Sequence, residues 1–173
     1  MAIVWHTVPV YTIEDVRARD TLMGGTGPTS STVFVPYLLD NLAGMKFKVV
    51  TGFNGTTEIA LAMERGEVEG MCESYDSVKG RHQDWLADGR LRVILQGGEE
   101  PHKDLKDVPF VLDLATKDDD RKALAAAGRY DGQLGLVQAV EGYGIPSQDG
   151  PQFVFGYVVE CVLQPREGVG PET

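Results

Sequence analysis

Residues 47–66 read FKVVTGFNGTTEIALAMERG, and the fold turns on this stretch. FKVVTGF, Phe47 to Phe53, is a compact apolar and β-branched run, the composition of a strand. Asn54 then offers a cap, a helix runs from about Thr57, and Gly66 stops it. Val68 to Ser74 follows as a short strand. Strand, glycine loop, helix and strand in that order are one unit of an α/β sheet.

The same unit is written immediately upstream. Thr21 to Gly25 reads as a strand, GTGPTSS as a loop, and STVFVPYLLDNLAG as a helix. Ser30 or Ser31 can cap that helix and Gly44 suits its end. Pro36 lies near the helix start, where few backbone bonds are at risk. Further out, Ile3 to Val10 reads as a strand, and Thr12 caps a helix with acids in its first turn. Asp76 to Asp88 reads as one helix ended by Gly89, and LRVILQGG as another strand. EEPHKDLKDVP is a polar loop, Phe110 to Ala115 and Asp118 to Ala127 are short helices, and Leu134 to Val140 is a last strand. The alternation predicts an α/β fold, a mostly parallel sheet with helices on both faces. Residues 1–140 form the lobe; 141–173 form a tail of different character, with the apolar run FVFGYVVECVL and a Gly/Pro end.

Composition narrows the function. The 173 residues carry 16 basic and 26 acidic side chains, a net charge of −10. Nucleic-acid binding needs a basic face to displace counterions, and no basic cluster supplies one. No apolar run approaches the ~18 residues of a membrane span, so membrane insertion is not expected. MAIVWHTVPV lacks the basic start of a secretory signal, so the chain as written is expected in the cytoplasm. Cys72 and Cys161 form no CxxC pattern and read as inert thiols.

TLMGGTGPTSST, residues 21–32, excludes several chemistries by what it lacks. No lysine follows its glycines, so it is not a phosphate-binding P-loop. The third glycine of GxGxxG is missing, and FKVVTGF ends without an acid, so a dinucleotide fingerprint fails. GxSxG is absent, which removes the nucleophile elbow. What remains is glycines and hydroxyls ahead of a helix N-terminus, a design repeated at GFNGTTE. In a parallel sheet both loops lie at the carboxyl ends of strands, on one edge. Two neutral cradles side by side suit a carboxylate, because amide dipoles need no net positive charge. Plain capped turns would have the same sequence.

Other residues are better explained without chemistry. His6, His82 and His102 are scattered over separate elements, so no metal site is expected. Asp118, Asp119 and Asp120 are acids at a helix start, without EF-hand spacing. Trp85 reads as a core anchor. Glu58, Glu64, Glu67 and Glu69 read as a solvated helix end and its loop. No triad order or carboxylate pair appears, so no catalytic residue and no cofactor is expected, and the chain does not read as an enzyme.

GGTGPTSST, KFKVVTGF, LAMERGEVEG, DWLADG and LKDVP together resemble the tripartite tricarboxylate transporter receptor family, over about Val4 to Arg121. These are periplasmic solute-binding proteins with the type II periplasmic binding fold, two α/β lobes with the ligand between them. The resemblance implies that this chain is the second lobe only, a truncated receptor, with VWHTVP and Leu134 to Val140 as crossover strands. It implies non-catalytic binding of a small organic acid. Gly25, Thr26, Gly27, Thr29, Ser30 and Ser31 match the first ligand-facing loop, and Gly52, Gly55, Thr56 and Thr57 the second. Ser74 and Tyr75 match the exit of the next strand. With the other lobe absent, binding is expected to be weak or lost. The uncovered apolar surface is expected to drive self-association into a homo-oligomer, and a structural homodimer is the alternative role.

Overall fold

The computed structural model describes residues 1–28, 30–98 and 100–115, together with Arg121 and Leu124. In chain order the elements are β1 (Ala2–Trp5), α1 (Ile13–Ala18), β2 (Thr21–Gly25), α2 (Ser31–Ala43), β3 (Phe47–Thr51) and α3 (Thr56–Glu64). They continue with β4 (Gly70–Cys72), α4 (Tyr75–Arg81), α5 (Gln83–Ala87), β5 (Leu91–Leu95) and a 3₁₀ turn, Val111–Leu114. Apart from Arg121 and Leu124, the anticipated helix at Asp118 to Ala127, the strand at Leu134 to Val140 and the tail lie outside the described residues.

The five strands among the described residues form one sheet in the order β3-β2-β4-β1-β5. β2 is parallel to β3 and to β4, while β1 is antiparallel to both β4 and β5. Four strands therefore run one way and β1 runs against them, which the simple alternation of strands and helices does not anticipate. The connection between β1 and β2 holds the six-residue α1, which rises about 9 Å against about 16 Å for a five-residue strand. The chain re-enters at the edge it left. Trp5 N donates to Glu69 O at 2.8 Å, and Glu69 N donates to Leu22 O at 2.8 Å, which places the end of β1 near the start of β2.

α1 begins where the sequence says. Thr12 Oγ1 accepts from Asp15 N at 3.2 Å, and Asp15 Oδ2 accepts from Thr12 N at 2.9 Å, a closed capping box. Donation from the Tyr11 amide, then from the Thr12 amide and hydroxyl, holds the Asp15 carboxyl below its ordinary range.

The first strand ends at Trp5 and not at Val10. The His6 amide still reaches Arg90 O at 2.9 Å, and beyond it the carbonyls are gathered by a side chain. Arg92 Nη1 donates to the carbonyls of Val10 at 2.6 Å and Val8 at 3.2 Å, and Nη2 to that of His6 at 3.3 Å. The Tyr11 ring lies 4.0 Å from the same guanidinium. Arg92→Ala leaves the His6 and Val10 carbonyls without this donor beside buried Val8 and Val10, while Val8 O keeps the Val10 amide, and is expected to cost about 2–4 kcal/mol. Arg92→Lys keeps the charge but not the fork, and should recover less than half. Urea unfolding of both variants checks this, and an alanine variant within about 0.5 kcal/mol of wild type would refute it.

Helices cover both faces, and two adjacent glycines show how. An added Cβ on Gly24 would stand 2.4 Å from Ile59 Cγ2 of α3. On Gly25 it would stand 2.6 Å from Val33 Cγ2 of α2 and 2.8 Å from Val49 Cγ1. Successive strand residues point to opposite faces, so α3 presses on one side of β2 and α2 on the other. The core gathers Ile3, Val4, Met23, Leu39, Ile59, Met63 and Met71, each at most 2% exposed.

Two smaller expectations shift. Pro36 is the sixth residue of α2, past the first-turn amides, so the bond its nitrogen would give Thr32 O is missing. The helix expected over Asp76 to Asp88 breaks at His82, whose φ is −135° and ψ 38°. The break aligns the His82 ring on Trp85 at 4.3 Å, and Trp85 meets Trp5 edge-on at 5.0 Å. Burial, then the Arg81 charge, pushes the His82 imidazole below its ordinary range.

Candidate functional site

β2 lies between β3 and β4, and all three run in the same direction. Gly25 is level with Thr51, and Gly24 with Met71. Neighbouring strands stand about 4.8 Å apart, so three outgoing loops emerge side by side with the first in the middle. They are 26–30, 52–55 and 73–74. β5 points the same way, so the chain from Gln96 onward leaves at this edge too.

The central loop is built around a residue the sequence reading did not single out. Thr32, 2% exposed, accepts from Thr26 N at 3.0 Å. Its hydroxyl also meets Thr26 Oγ1 at 3.2 Å and Ser30 Oγ at 2.6 Å. A threonine hydroxyl has two acceptor sites and one proton. The Thr26 amide fills one acceptor site. The other can take a proton from Thr26 or Ser30, and the Thr32 proton goes to whichever did not give. One of those two hydroxyls therefore keeps its own proton for an outside acceptor.

Ser30 is the N-cap residue of α2 by position, yet its side chain makes no cap bond, because it is turned to Thr32. Its amide donates to Gly27 O at 3.0 Å, and its carbonyl accepts from Val33 N and Phe34 N. The amides of Ser31 and Thr32 precede the first intrahelical donors, and no described residue accepts from them. Gly27, half-buried, has open space where a Cβ would stand. Gly25 is buried, and the missing Cβ is what lets Val33 approach. Thr29 lies outside the described residues.

The second loop enters α3. Gly52 has φ 111°, which excludes a side chain without strain. Gly55, not Asn54, is the N-cap, in extended backbone. Asn54 instead donates twice to Glu58 Oε2, from N at 2.7 Å and Nδ2 at 3.0 Å. The amides of Thr56 and Thr57 stand ahead of Glu58 N and Ile59 N, which bond Gly55 O, and find no described acceptor. Thr56 is half-buried and Thr57 exposed.

The third exit is occupied by structure. Ser74 Oγ accepts from Ser77 N at 3.3 Å and caps α4. The Tyr75 ring packs on His102 at 4.6 Å, with Lys79 Nζ 5.5 Å from its centre. Glu73 pairs with Arg81 through one carboxylate oxygen, while the other is buried and finds no partner among the described residues. Thr26, Gly27, Ser30, Ser31, Gly52, Gly55, Thr56, Thr57, Ser74 and Tyr75 thus share one edge, with Gly25 beneath them.

Among the described residues the two helix entries offer hydrogen-bond donors. Cys72 is fully buried, and burial pushes its thiol up to about 12, so it is no nucleophile. Among the described residues no cluster of three His, Cys, Asp or Glu could hold a metal ion. No helix among them is long and apolar enough to cross a membrane.

No family model and no curated protein matches the chain. Solved structures do. A TctC solute-binding protein from Polaromonas, solved without ligand, superposes with a TM-score of 0.54 at 21% identity. That match covers 65% of this chain and 38% of the other. An R. palustris protein solved with adipate gives a TM-score of 0.55 at 16% identity, covering 94% of this chain and 61% of the other. The chain shares its α/β fold with part of a TctC solute-binding protein, and spans less than two thirds of either neighbour.

Proposed function

We propose that this chain is a non-catalytic lobe of the tricarboxylate-receptor type that binds a small organic carboxylate at the edge formed by the α2 and α3 entries. The observation that carries the reading is the pair of helix N-termini in register on adjacent strands, with the Ser31, Thr56 and Thr57 amides finding no acceptor among the described residues and a hydroxyl donor beside them. Amide dipoles stabilise an anion without a basic side chain, which reconciles acid binding with a net charge of −10. That one structural neighbour is a TctC solute-binding protein and another was solved with adipate supports the ligand class.

A lobe alone covers one side of a ligand, and two-lobed binding proteins gain affinity by closing around it. Dissociation constants of about 1 mM or weaker are expected for adipate and citrate. Calorimetry and thermal shift with a panel of mono-, di- and tricarboxylates test this. If no acid raises the melting temperature of wild type, and Ser30→Ala melts identically with and without acid, the reading is wrong.

The second reading, a lobe acting through self-association, draws on Leu22 and Val50. They share the α3 face of β2 and β3 and are 39% and 40% exposed. Sedimentation separates the two: a monomer at micromolar concentration that binds acids leaves the first reading alone.

A further inference from the structure

The segment after β5 returns over the sheet edge and is fastened by one buried glutamine. Gln96, 3% exposed, donates from Nε2 to Val108 O at 2.7 Å and to Leu105 O at 2.8 Å. Its Oε1 accepts from His102 N at 2.7 Å. Gln96 N donates to Pro109 O at 3.0 Å, and Gln96 O accepts from Val111 N at 2.9 Å. Every polar group of this residue is used to fix residues 102–111.

What the clamp fixes is a histidine. His102 Nδ1 accepts from Asp104 N at 3.1 Å, so a neutral ring carries its proton on Nε2. Asp104 is itself tied to Lys79 of α4 at 2.7 Å, and the His102 ring lies on Tyr75, the first residue of that helix. The ring is held through Gln96, Asp104 and Tyr75, and no described residue accepts from Nε2. It is half-buried and lies against Tyr75, just past the end of β4, the strand next to β2.

We propose that His102 is a further ligand-contacting residue, a fixed Nε2–H donor to one carboxylate oxygen of the bound acid, on the α4 side of the central loop. The inference rests on the carboxylate reading above. It adds that the ligand has an acceptor on this side as well as at the α2 and α3 entries, which favours dicarboxylates and longer acids over monocarboxylates.

The experiment uses the full chain and two measurements by nuclear magnetic resonance. Long-range nitrogen–proton correlation of the imidazole reads the tautomer without ligand; Nε2–H is expected, and Nδ1–H would overturn the proposal. Titration with adipate, and with acetate as the short acid, then follows the ring nitrogens and the Ser31 amide. Adipate should move both signals in wild type. His102→Phe keeps the ring against Tyr75 but removes the donor, and should weaken adipate about tenfold with acetate unchanged. His102→Gln, which restores an amide donor, should recover part of that. If adipate moves Ser31 in wild type and His102→Phe binds it equally well, this proposal fails and the carboxylate reading stands. If adipate moves neither signal, both fail.

Discussion

Gly70→Ala is expected to destabilise the lobe by about 3 kcal/mol or more, the largest effect of any single methyl group here. Gly70 is the first residue of β4 and pairs with Val4 of β1 and Met23 of β2. A Cβ at this position would stand 2.3 Å from the carbonyl oxygen of Ile3, with Met23 Sδ and Val4 Cγ1 each at 3.1 Å. Side chains can yield by rotation, but the oxygen belongs to the backbone of the adjoining strand. Relief means separating β1 from β4, at the centre of the sheet. Gly80→Ala is the control. It sits inside α4 with open space where a Cβ would go, and alanine there should stabilise by up to ~1 kcal/mol. Urea unfolding reads both. A Gly70→Ala midpoint within error of wild type would show that the β1–β4 spacing is not what the glycine protects.

That contrast marks what the sequence could and could not convey. Glycines that end helices announce themselves by position, and Gly44, Gly66 and Gly89 have φ of 65°, 74° and 71°. Thr12 with Asp15 is equally legible, because the capping box is local. Gly70 stands in an undistinguished run, GEVEG, and its reason is an oxygen 67 positions earlier in the chain, the difference between 70 and 3. The reversed direction of β1 is a matter of strand pairing with β4 and β5, which the alternation of strands and helices does not encode. His82 breaks a helix whose residues are locally acceptable, because Trp85 must reach Trp5 on the sheet. The edge shared by the central loops follows from strand order alone, so both loops were readable as neighbours. Which hydroxyl of TSST turns inward was not, since four hydroxyl residues stand in a row and the exact start of α2 among them decides it. His102 depends on Gln96 and Tyr75, whose approach is tertiary.

Thr32→Val is expected to have the largest effect on binding of any single change in the central loop, while keeping the side-chain shape. Removing the hydroxyl leaves Thr26 N without its acceptor and releases the Thr26 and Ser30 hydroxyls from each other. The half-buried amide alone should cost about 1 kcal/mol of stability. The loop between Gly25 and α2 then loses the bonds that fix its path, and the outward hydroxyl loses its orientation. A donor that must be ordered by the ligand binds more weakly than one already placed, so adipate affinity should fall about tenfold. Thr32→Ser keeps the oxygen and should bind nearly as wild type, despite the lost methyl packing. Amide hydrogen exchange supplies a readout independent of any ligand: Thr26 N should lose protection in the valine variant and retain it in the serine variant. Were Thr26 to exchange equally slowly in both, with adipate bound equally well, the hydroxyl cluster would be a bystander. The edge would then owe its binding to the helix amides alone.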